Sequence, residues 1–246
     1  MAVLTEEQTL LRDSAREFVC AKAPTSALRR LRDAGEGQGF DPALFSEIAQ
    51  MGWTGVVIPE AYGGSAFGYL SFGLILEEMG RTLAAAPLLA SALAAAALLN
   101  EVGSEAQKTA WLPKIAAGEV IATLAVDESA RHDPLSTSLT AAPDGEGYVL
   151  SGRKTFVLEG MAAHLFLIAA RTHGAPGEAD GVTLFLARAE TPGLHREARH
   201  LADSRGYAAL TLDRVRLPQD AVLGHVGQGY APLEAALDRA RAGVAA

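Results

Sequence analysis

The side chains best suited to chemistry in this sequence are six histidines and one cysteine. No histidine lies at ligand spacing from Asp or Glu on a plausible helix, and the His-Glu-x-x-His pattern of zinc enzymes is absent from the sequence. A single cysteine, Cys20, forms neither an intrachain disulfide nor a thiolate metal site, so we expect no metal. Because Cys20 follows Phe18 and Val19 in a helical pattern, we predict a half-buried structural thiol. The histidines are His132, His164, His173, His195, His200 and His225.

A second notable stretch is the corner "IPEAYGGS" at residues 58–65, which follows the apolar run "GWTGVV". Pro59 fixes one backbone dihedral, and the pair Gly63-Gly64 permits positive φ or a close backbone approach. One interpretation is a turn between helices that requires small residues. The other is a loop shaped so that a flat or extended ligand lies against its backbone. The corner alone does not decide between them.

The composition narrows the class of protein. The chain has 246 residues, 49% apolar and 20% charged, as expected of a globular protein. A chain of this length buries roughly 70% of its unfolded surface. The net charge of −8 argues against nucleic-acid binding, which needs a basic face. Two short basic clusters, at residues 29–32 and 153–154, are typical of solvated surface.

Neither a secretory signal nor a membrane span is predicted. Glu6, Glu7 and Asp13 occupy the stretch where a signal peptide carries basic and apolar residues. The run from residue 83 to 99 is mostly alanine and contains Pro87 and Ser91, so a helix buried in a bundle fits it better than a span. We expect a cytoplasmic protein.

Helical signals dominate up to about residue 118. Capping boxes are predicted at Thr5 with Gln8 and at Ser104 with Gln107, and Asp41 precedes a proline at the first helical position. Apolar stripes with helical spacing follow each of these starts, and a further one ends near Gly80. The alanine-rich fourth helix is expected to begin at Pro87.

After residue 118 the periodicity changes to that of short strands separated by turns. Helical periodicity returns in "YAPLEAALDRARAGVAA" at the end of the chain. The predicted fold class is α+β: an all-α helical bundle, an antiparallel β-barrel or sandwich, and the start of a further helix. We place the helical domain at residues 1–118, the β domain at 119–227 and the start of a truncated helical domain at 228–246. The predicted strands are "VIATLAV", "GYVLSG", "KTFVLEG", "HLFLIAAR", "GVTLFLAR" and "YAALTLDRVRL".

Six stretches in this order resemble the acyl-CoA dehydrogenase family of flavoenzymes. They are spread from about residue 4 to residue 246, and six in register are strong evidence for the fold although each alone is weak. The resemblance implies a helical domain, a β-barrel domain and a C-terminal helical bundle, with "IPEAYGG" packed near the meeting point of flavin and thioester. The stretches are "GWTGVVIPEAYGGSAFG", "ILEEMGRTL", "WLPKIAAGE", "YVLSGRKTFVLEGMAAHLFLIAAR", "LTLDRVRLP" and "VLGHVGQGY...ALDRAR".

The resemblance also implies an activity, which is α,β-dehydrogenation of an acyl-CoA thioester with hydride transfer to FAD. A carboxylate in a dry pocket removes the α-proton, and hydrogen bonds to the thioester oxygen stabilise the enolate. The protein must hold the flavin ring between this base and the β-carbon.

By this resemblance, the first set of FAD contacts lies where the strand through Leu124 and Val126 enters the loop "DESARHDP". Family members place hydroxyl side chains there, against the flavin ring and its pyrophosphate. Here Asp127 stands at the threonine position and Asp133 near the serine position. A carboxylate repels a phosphate, so these two residues oppose FAD unless Arg131 or His132 compensates.

The second implied set of FAD contacts lies in "RKTFVLEG". Phe156 occupies the aromatic position and Leu158 a position where threonine is common. The backbone N–H groups of Val157 and Leu158 remain available as donors to the ring. Phe156 as ordinary strand core is the alternative.

On the substrate side, Asp238 and Arg241 match the family's Asp and Arg beside the thioester and the CoA chain. The alternative is an i,i+3 ion pair on an exposed helix face. The base of some family members directly precedes the arginine, but that residue here is Ala240, and the base of the others lies in the C-terminal bundle. No catalytic residue is therefore assigned, and the chain alone is expected to be inactive.

Several alternatives remain open. The chain is either the first two domains of a dehydrogenase or a non-catalytic subunit that completes the site of an active partner. A flavin monooxygenase or nitroalkane oxidase would use the same fold with a different base. The resemblance further implies a homo- or hetero-oligomer in fatty acid metabolism, with an electron-transferring flavoprotein as electron acceptor.

Overall fold

Helices occupy the first half of the chain and its C-terminal end, and strands occupy the stretch between. The computed structural model describes residues 3–34, 38–203 and 205–246. The α-helices are α1 (Glu6–Lys22), α2 (Thr25–Ala34), α3 (Pro42–Gln50), α4 (Gly68–Thr82), α5 (Ala96–Val102), α6 (Glu105–Ala116) and α7 (Tyr230–Ala245). A π-helix (Leu88–Ala95) precedes α5 without a break.

The predicted helix starts are confirmed. Thr5 and Ser104 each form a capping box with the glutamine three residues later. The Asp41 carboxylate accepts a hydrogen bond from the Ala43 amide at 2.9 Å. These caps satisfy N–H groups that the first helical turn leaves unpaired. Helix α2 was not predicted, because its basic cluster was interpreted only as surface.

Cys20 is exposed, so the prediction of a half-buried thiol was wrong. Helix α1 buries Ala15 and Val19. Successive residues on a helix lie about 100° apart, so the residue after Val19 turns away from the core.

The alanine-rich stretch forms the π-helix rather than an ordinary α-helix at its start. Small side chains allow this wider turn to be buried, and Leu88 and Leu93 lie in the core beneath it. The Ser91 hydroxyl accepts a hydrogen bond from the Ala122 amide at 3.0 Å, which ties this helix to the first strand. Within the described residues, no helix has the length and apolar character needed to cross a membrane.

The glycine corner is explained by the approach of the chain to itself. The amides of Ser65 and Ala66 donate to the carbonyl oxygens of Gly55 and Ile58, both at 3.0 Å. A Cβ on Gly64 would lie 2.0 Å from the Ile58 oxygen and 2.5 Å from the Gly55 oxygen. The structure therefore favours the interpretation as a structural turn, because the protein's own backbone fills the close approach.

Among the described residues, eight strands form one mixed sheet in the order β6-β7-β3-β2-β4-β5-β8, and β1 pairs with β4. The pairs β1–β4 and β2–β4 are parallel, so the prediction of a wholly antiparallel sheet was wrong. Parallel pairing is possible here because no tight hairpin turn connects β1 or β2 to β4, and many residues, including β3, lie between them in the sequence. The strands are β1 (Ala122–Ala125), β2 (Thr140–Asp144), β3 (Gly147–Val157), β4 (Leu165–Arg171), β5 (Val182–Arg188), β6 (Leu194–Arg199), β7 (Tyr207–Pro218) and β8 (Val222–Leu223).

Two of the predicted strands, "GYVLSG" and "KTFVLEG", are one continuous strand, β3. It pairs with β7 over its whole length, with register shifts between Leu150 and Gly152 and between Lys154 and Val157. Gly152 has φ +144° within the first of them. Bulges of this kind bend a strand without ending it, and in the sequence the glycine resembles a turn. Strands β2, β6 and β8 were not predicted.

The corner yields a test of stability. We expect Gly64→Ala to lower the free energy of unfolding by about 2–3 kcal/mol, because the new methyl group overlaps two carbonyl oxygens. The matched variant is Gly63→Ala, which meets no atom within 4 Å but has φ +81°. Its left-handed backbone costs about 1 kcal/mol. Chemical denaturation of both variants measures the difference, and equal losses would contradict this explanation of the corner.

Candidate functional site

The end of β1 and the end of β3 lie side by side and form the centre of the candidate site. The Thr155 amide donates to the backbone carbonyl oxygen of Asp127 at 2.7 Å. The Thr123 hydroxyl donates to the Leu158 carbonyl oxygen, also at 2.7 Å. These bonds bring together the two stretches predicted to contact a cofactor. Within them Val126 and Val157 are buried, whereas Leu124 and Leu158 are half-buried.

A buried lysine holds the loop after β1 in place. The Lys154 ammonium on β3 is fully buried and donates to the Val126 carbonyl oxygen at 2.8 Å and to Glu128 Oε1 at 2.7 Å. Glu128 also accepts from the amides of Ser138 and Leu139. An ammonium cannot be buried without such partners. The loop conformation is therefore coupled to the core of the sheet.

Burial and the mutual attraction of the two charges act in opposite directions on the pKa of each residue in this pair. Burial lowers the pKa of Lys154, and the neighbouring Glu128 opposes that shift. For Glu128, burial acts to raise the pKa, but the Lys154 ammonium and the hydrogen bonds from Ser138 and Leu139 outweigh it and lower the pKa. Glu128 is thus an ionised structural group rather than a proton acceptor.

Phe156 is presented to the surface by the second bulge of β3. Its φ is +50°, which is unusual for a residue with a Cβ, and its ring remains 38% exposed. A buried strand core was the alternative interpretation, and this exposure disfavours it. Strain of this type persists where the surrounding structure imposes it, often beside a ligand.

A chain of polar contacts connects the loop to α7. His132 Nδ1 lies 2.9 and 3.0 Å from the two Asp127 carboxylate oxygens, and Arg241 Nη2 lies 3.1 Å from His132 Nε2. Because a guanidinium only donates, the imidazole accepts at Nε2 and donates from Nδ1 to Asp127. Arg241 also donates to Glu234 at 3.2 Å and Asp238 at 2.6 Å.

The structure therefore brings Asp127 and Arg241 together but places Asp133 and Asp238 differently. The Asp133 carboxylate accepts from the Ser136 hydroxyl at 2.6 Å, and this bond lowers its pKa. Asp238 is exposed and forms the i,i+3 ion pair with Arg241 that was the alternative interpretation.

Unused backbone donors line the same loop. In the described part of the chain, the N–H groups of Asp127, Glu128, His132 and Leu158 have no acceptor. Backbone donors of this kind can bond carbonyl oxygens and ring nitrogens of a planar ligand. Over residues 3–34, 38–203 and 205–246, no three acidic, histidine or cysteine side chains are grouped to hold a metal ion.

Sequence reasoning missed Lys154 with Glu128, His132 as the bridge to Arg241, and Glu159. Glu159 is 1% exposed, has φ +55°, and pairs with Arg205 at 3.1 Å. Burial raises its pKa, although Arg205 opposes this. An acid directly before a glycine in an otherwise apolar stretch was the available signal.

Comparison with known proteins identifies relatives over almost the whole chain. The family model of the acyl-CoA dehydrogenase N-terminal domain matches residues 5–119, and that of the acyl-CoA dehydrogenase middle domain matches residues 122–218. The mitochondrial isovaleryl-CoA dehydrogenase of Pongo abelii is 30% identical over 247 residues, which cover 97% of this chain and 57% of the relative.

Solved structures of acyl-CoA dehydrogenases have the same fold as this chain. Butyryl-CoA dehydrogenase from Megasphaera elsdenii superposes with a TM-score of 0.87 at 27% identity, over 100% of this chain and 65% of that protein. Glutaryl-CoA dehydrogenase from Mycobacterium smegmatis, solved in complex with FADH2, gives 0.86 at 25% identity, over 98% of this chain and 61% of that protein. The chain spans less than two thirds of the length of each of these relatives.

The buried pair predicts a pH-dependent loss of stability. We expect Glu128→Gln to lower the free energy of unfolding at neutral pH by about 3–5 kcal/mol, because a buried ammonium loses its counter-charge. The pKa of Glu128 is lower in the folded than in the unfolded state, so its contribution is complete above the unfolded pKa. It disappears as the pH falls through the folded pKa. Wild type and variant should therefore converge in acid, as measured by urea denaturation at several pH values.

Two further variants control this experiment. Glu119→Gln changes an exposed glutamate and should alter stability little at any pH. The double variant Glu128→Gln/Lys154→Met removes both charges and should be more stable than Glu128→Gln alone. A double variant no better than the single one would contradict the assigned role of the ion pair.

Proposed function

The chain belongs to the acyl-CoA dehydrogenase family, and on this premise we propose that it forms two walls of a site for α,β-dehydrogenation of an acyl-CoA thioester. The observation that carries the proposal is the junction of β1, β3 and α7, where the loop after β1 bonds Thr155 of β3 through Asp127 and Arg241 of α7 through His132. The three-part division at residues 1–118, 119–227 and 228–246 belongs to the same proposal.

FAD is the cofactor that the family implies, and the described residues suit only part of it. The free N–H groups of Asp127, Glu128 and Leu158 match the acceptors of an isoalloxazine ring, and Phe156 offers an exposed aromatic edge. When bound, FAD supplies the acceptor for the hydride that leaves the acyl β-carbon. In this proposal two stretches of the chain contact the ring and orient it, residues 124–127 and residues 156–158.

The residues of this loop suit the pyrophosphate of FAD less well than its ring. The loop offers carboxylates at Asp127 and Asp133, and the cations of Lys154 and Arg241 are already engaged by Glu128, Glu234 and Asp238. Arg131 is exposed in the same loop, and its charge acts on Asp133. Two unit charges about 4 Å apart interact by roughly 1 kcal/mol in water and 4 kcal/mol near a protein surface. We infer that any FAD pyrophosphate in the working assembly is held mainly by groups outside this loop.

No residue of the described chain is proposed as the base for the α-proton. Asp238 is 73% exposed and paired with Arg241, and Glu128 is ionised by Lys154. Arg241 is proposed, with Asp238, to bind on the CoA side of the substrate. We further propose that the chain works within an oligomer and that an electron-transferring flavoprotein accepts the electrons.

A second candidate function is a non-catalytic subunit that completes the site of a flavin-bearing partner. The carboxylates of the loop and the internal chain from Asp127 through His132 to Arg241 favour it. Both functions require an acyl-CoA, and they differ in where the flavin is bound.

The colour of the protein separates the two functions. We expect an assembly purified under native conditions to be yellow and to bleach without oxygen when an acyl-CoA is added, but not when free CoA is added. A yellow assembly in which all flavin remains on a second polypeptide after separation supports the subunit. An assembly that binds no acyl-CoA in equilibrium titration would refute both functions.

The misfit at the phosphates yields a separate prediction. We expect Asp127→Asn/Asp133→Asn to increase FAD affinity about tenfold or more, because two like charges are removed. Riboflavin has no phosphate, so its affinity should remain unchanged. The matched control is Asp213→Asn on the exposed face of β7. Fluorescence titration measures all three, and equal effects on FAD and riboflavin would contradict the assignment.

A further inference from the structure

His132 joins two elements of the candidate site that are distant in the sequence. Its Nδ1 lies 2.9 and 3.0 Å from the two carboxylate oxygens of Asp127, in the same loop. Its Nε2 lies 3.1 Å from Nη2 of Arg241 on α7, 109 positions along the chain. Helix α7 also packs against the turn Pro134–Ser136 that follows the loop. The imidazole is therefore held between an anion and a cation that belong to different elements.

These two partners make opposite demands on the protonation of the imidazole. Arg241 only donates hydrogen bonds, so it requires a free electron pair on Nε2 and hence a neutral ring with its hydrogen on Nδ1. Asp127 is an anion, and a neighbouring anion favours the doubly protonated ring. A second proton, on Nε2, would place two donors and two positive charges 3.1 Å apart. His132 therefore keeps its contact with Arg241 only while it is neutral.

The charged groups around His132 are predominantly acidic. On α7, Arg241 donates to both Glu234 and Asp238. On β3, the ammonium that pairs with Glu128 also acts on Asp127. Protonation of His132 adds a positive charge to a set in which carboxylates outnumber cations. The set comprises Asp127, Glu128, Asp133, Glu234 and Asp238 on one side and Arg131, Lys154 and Arg241 on the other.

An anion that approaches this loop and protonation of His132 favour each other for two reasons. The Arg241 side chain is 46% exposed, so a ligand can reach it from solvent. An anion that accepts from Nη2 replaces the imidazole there and removes the obstacle to a second proton. An anion beside the ring also attracts the imidazolium directly. Both effects have the same sign, and by linkage each binding event strengthens the other.

Resting on the proposed function, in which FAD lies against this loop, we propose that His132 takes up a proton when the FAD pyrophosphate is bound. The proton comes from solvent and forms one N–H bond at Nε2, and no other covalent bond changes. Before binding, the neutral ring holds Arg241 of α7 to the loop. After binding, the imidazolium stays beside Asp127 and offsets the carboxylates that oppose a phosphate. His132 is thus a positioning residue whose charge depends on the ligand.

Fluorescence titration with FAD and with riboflavin, at about pH 6 and about pH 8, tests this proposal. Histidine side chains usually change charge between these values, whereas ordinary carboxylates titrate below them. We expect FAD to bind about fivefold or more tightly at the lower pH, which is a typical coupling between two binding events. Riboflavin has no phosphate, so its affinity should not change. Calorimetry in two buffers of different ionisation enthalpy should show proton uptake with FAD.

Two variants assign the proton to His132. His132→Gln retains an oxygen that can accept from Arg241 but takes up no proton, so its affinity for FAD should be the same at both pH values. His195→Gln changes an exposed histidine on β6 and should retain the pH dependence of the wild type. A pH dependence that persists in His132→Gln would overturn the inference.

NMR of the imidazole nitrogens gives a readout that needs no ligand. At about pH 8 we expect the hydrogen of His132 on Nδ1, because Arg241 requires an acceptor at Nε2. A hydrogen on Nε2, or FAD affinity in the wild type that is equal at both pH values, would overturn this inference alone. Failure to bind both FAD and riboflavin at either pH would overturn the proposed flavin site together with it.

Discussion

The burial of one ammonium group, that of Lys154, constrains the whole end of the molecule at which the strands meet the helices. Its partners are the carbonyl oxygen that ends β1 and the carboxylate of Glu128 in the next turn. Because desolvation makes every alternative arrangement of this charge costly, the loop cannot move independently of β3. Together with the bonds from Thr155 to Asp127 and from Thr123 to Leu158, the contacts of Lys154 hold Asp127 and Leu158 beside one another.

The helical part of the chain contributes rigidity from the other side. Glu78 on α4 is fully buried and receives two hydrogen bonds from Arg16 on α1, at 2.8 and 3.1 Å. Ser91 joins the π-helix to β1. Satisfied polar contacts therefore hold α4 against α1 and the π-helix against β1. In the part of the chain that the structure describes, Glu159 Oε2 is the one buried side-chain oxygen or nitrogen without a hydrogen-bond partner.

Local signals allowed much of the fold to be predicted, and long-range pairing explains what was missed. Capping boxes and the Asp41-Pro42 start depend on residues three or fewer apart, and the structure confirms them. The parallel pairing of β1 with β4 joins residues more than forty positions apart, and no local pattern specifies it. Gly152 resembled a turn because a bulge and a turn use the same residue. At the site, the two stretches that the resemblance indicated lie side by side in the structure, but the partners of Lys154 and His132 depend on tertiary placement.

The loop after β1 shows why membership of the family predicts the fold of this chain better than it predicts how the chain binds FAD. Every carboxylate in this loop has a partner from the same chain: Asp127 has His132, Glu128 has Lys154, and Asp133 has Ser136. The carboxylates of the loop are therefore satisfied without a ligand, whereas hydroxyl groups at these positions would offer donors to a phosphate. Of these three partners, only Lys154 is a fully buried charge. The carboxylates of Asp127 and Asp133 bond side chains within five residues of them in the sequence, so the charges that oppose a phosphate are held locally and not by the core of the sheet.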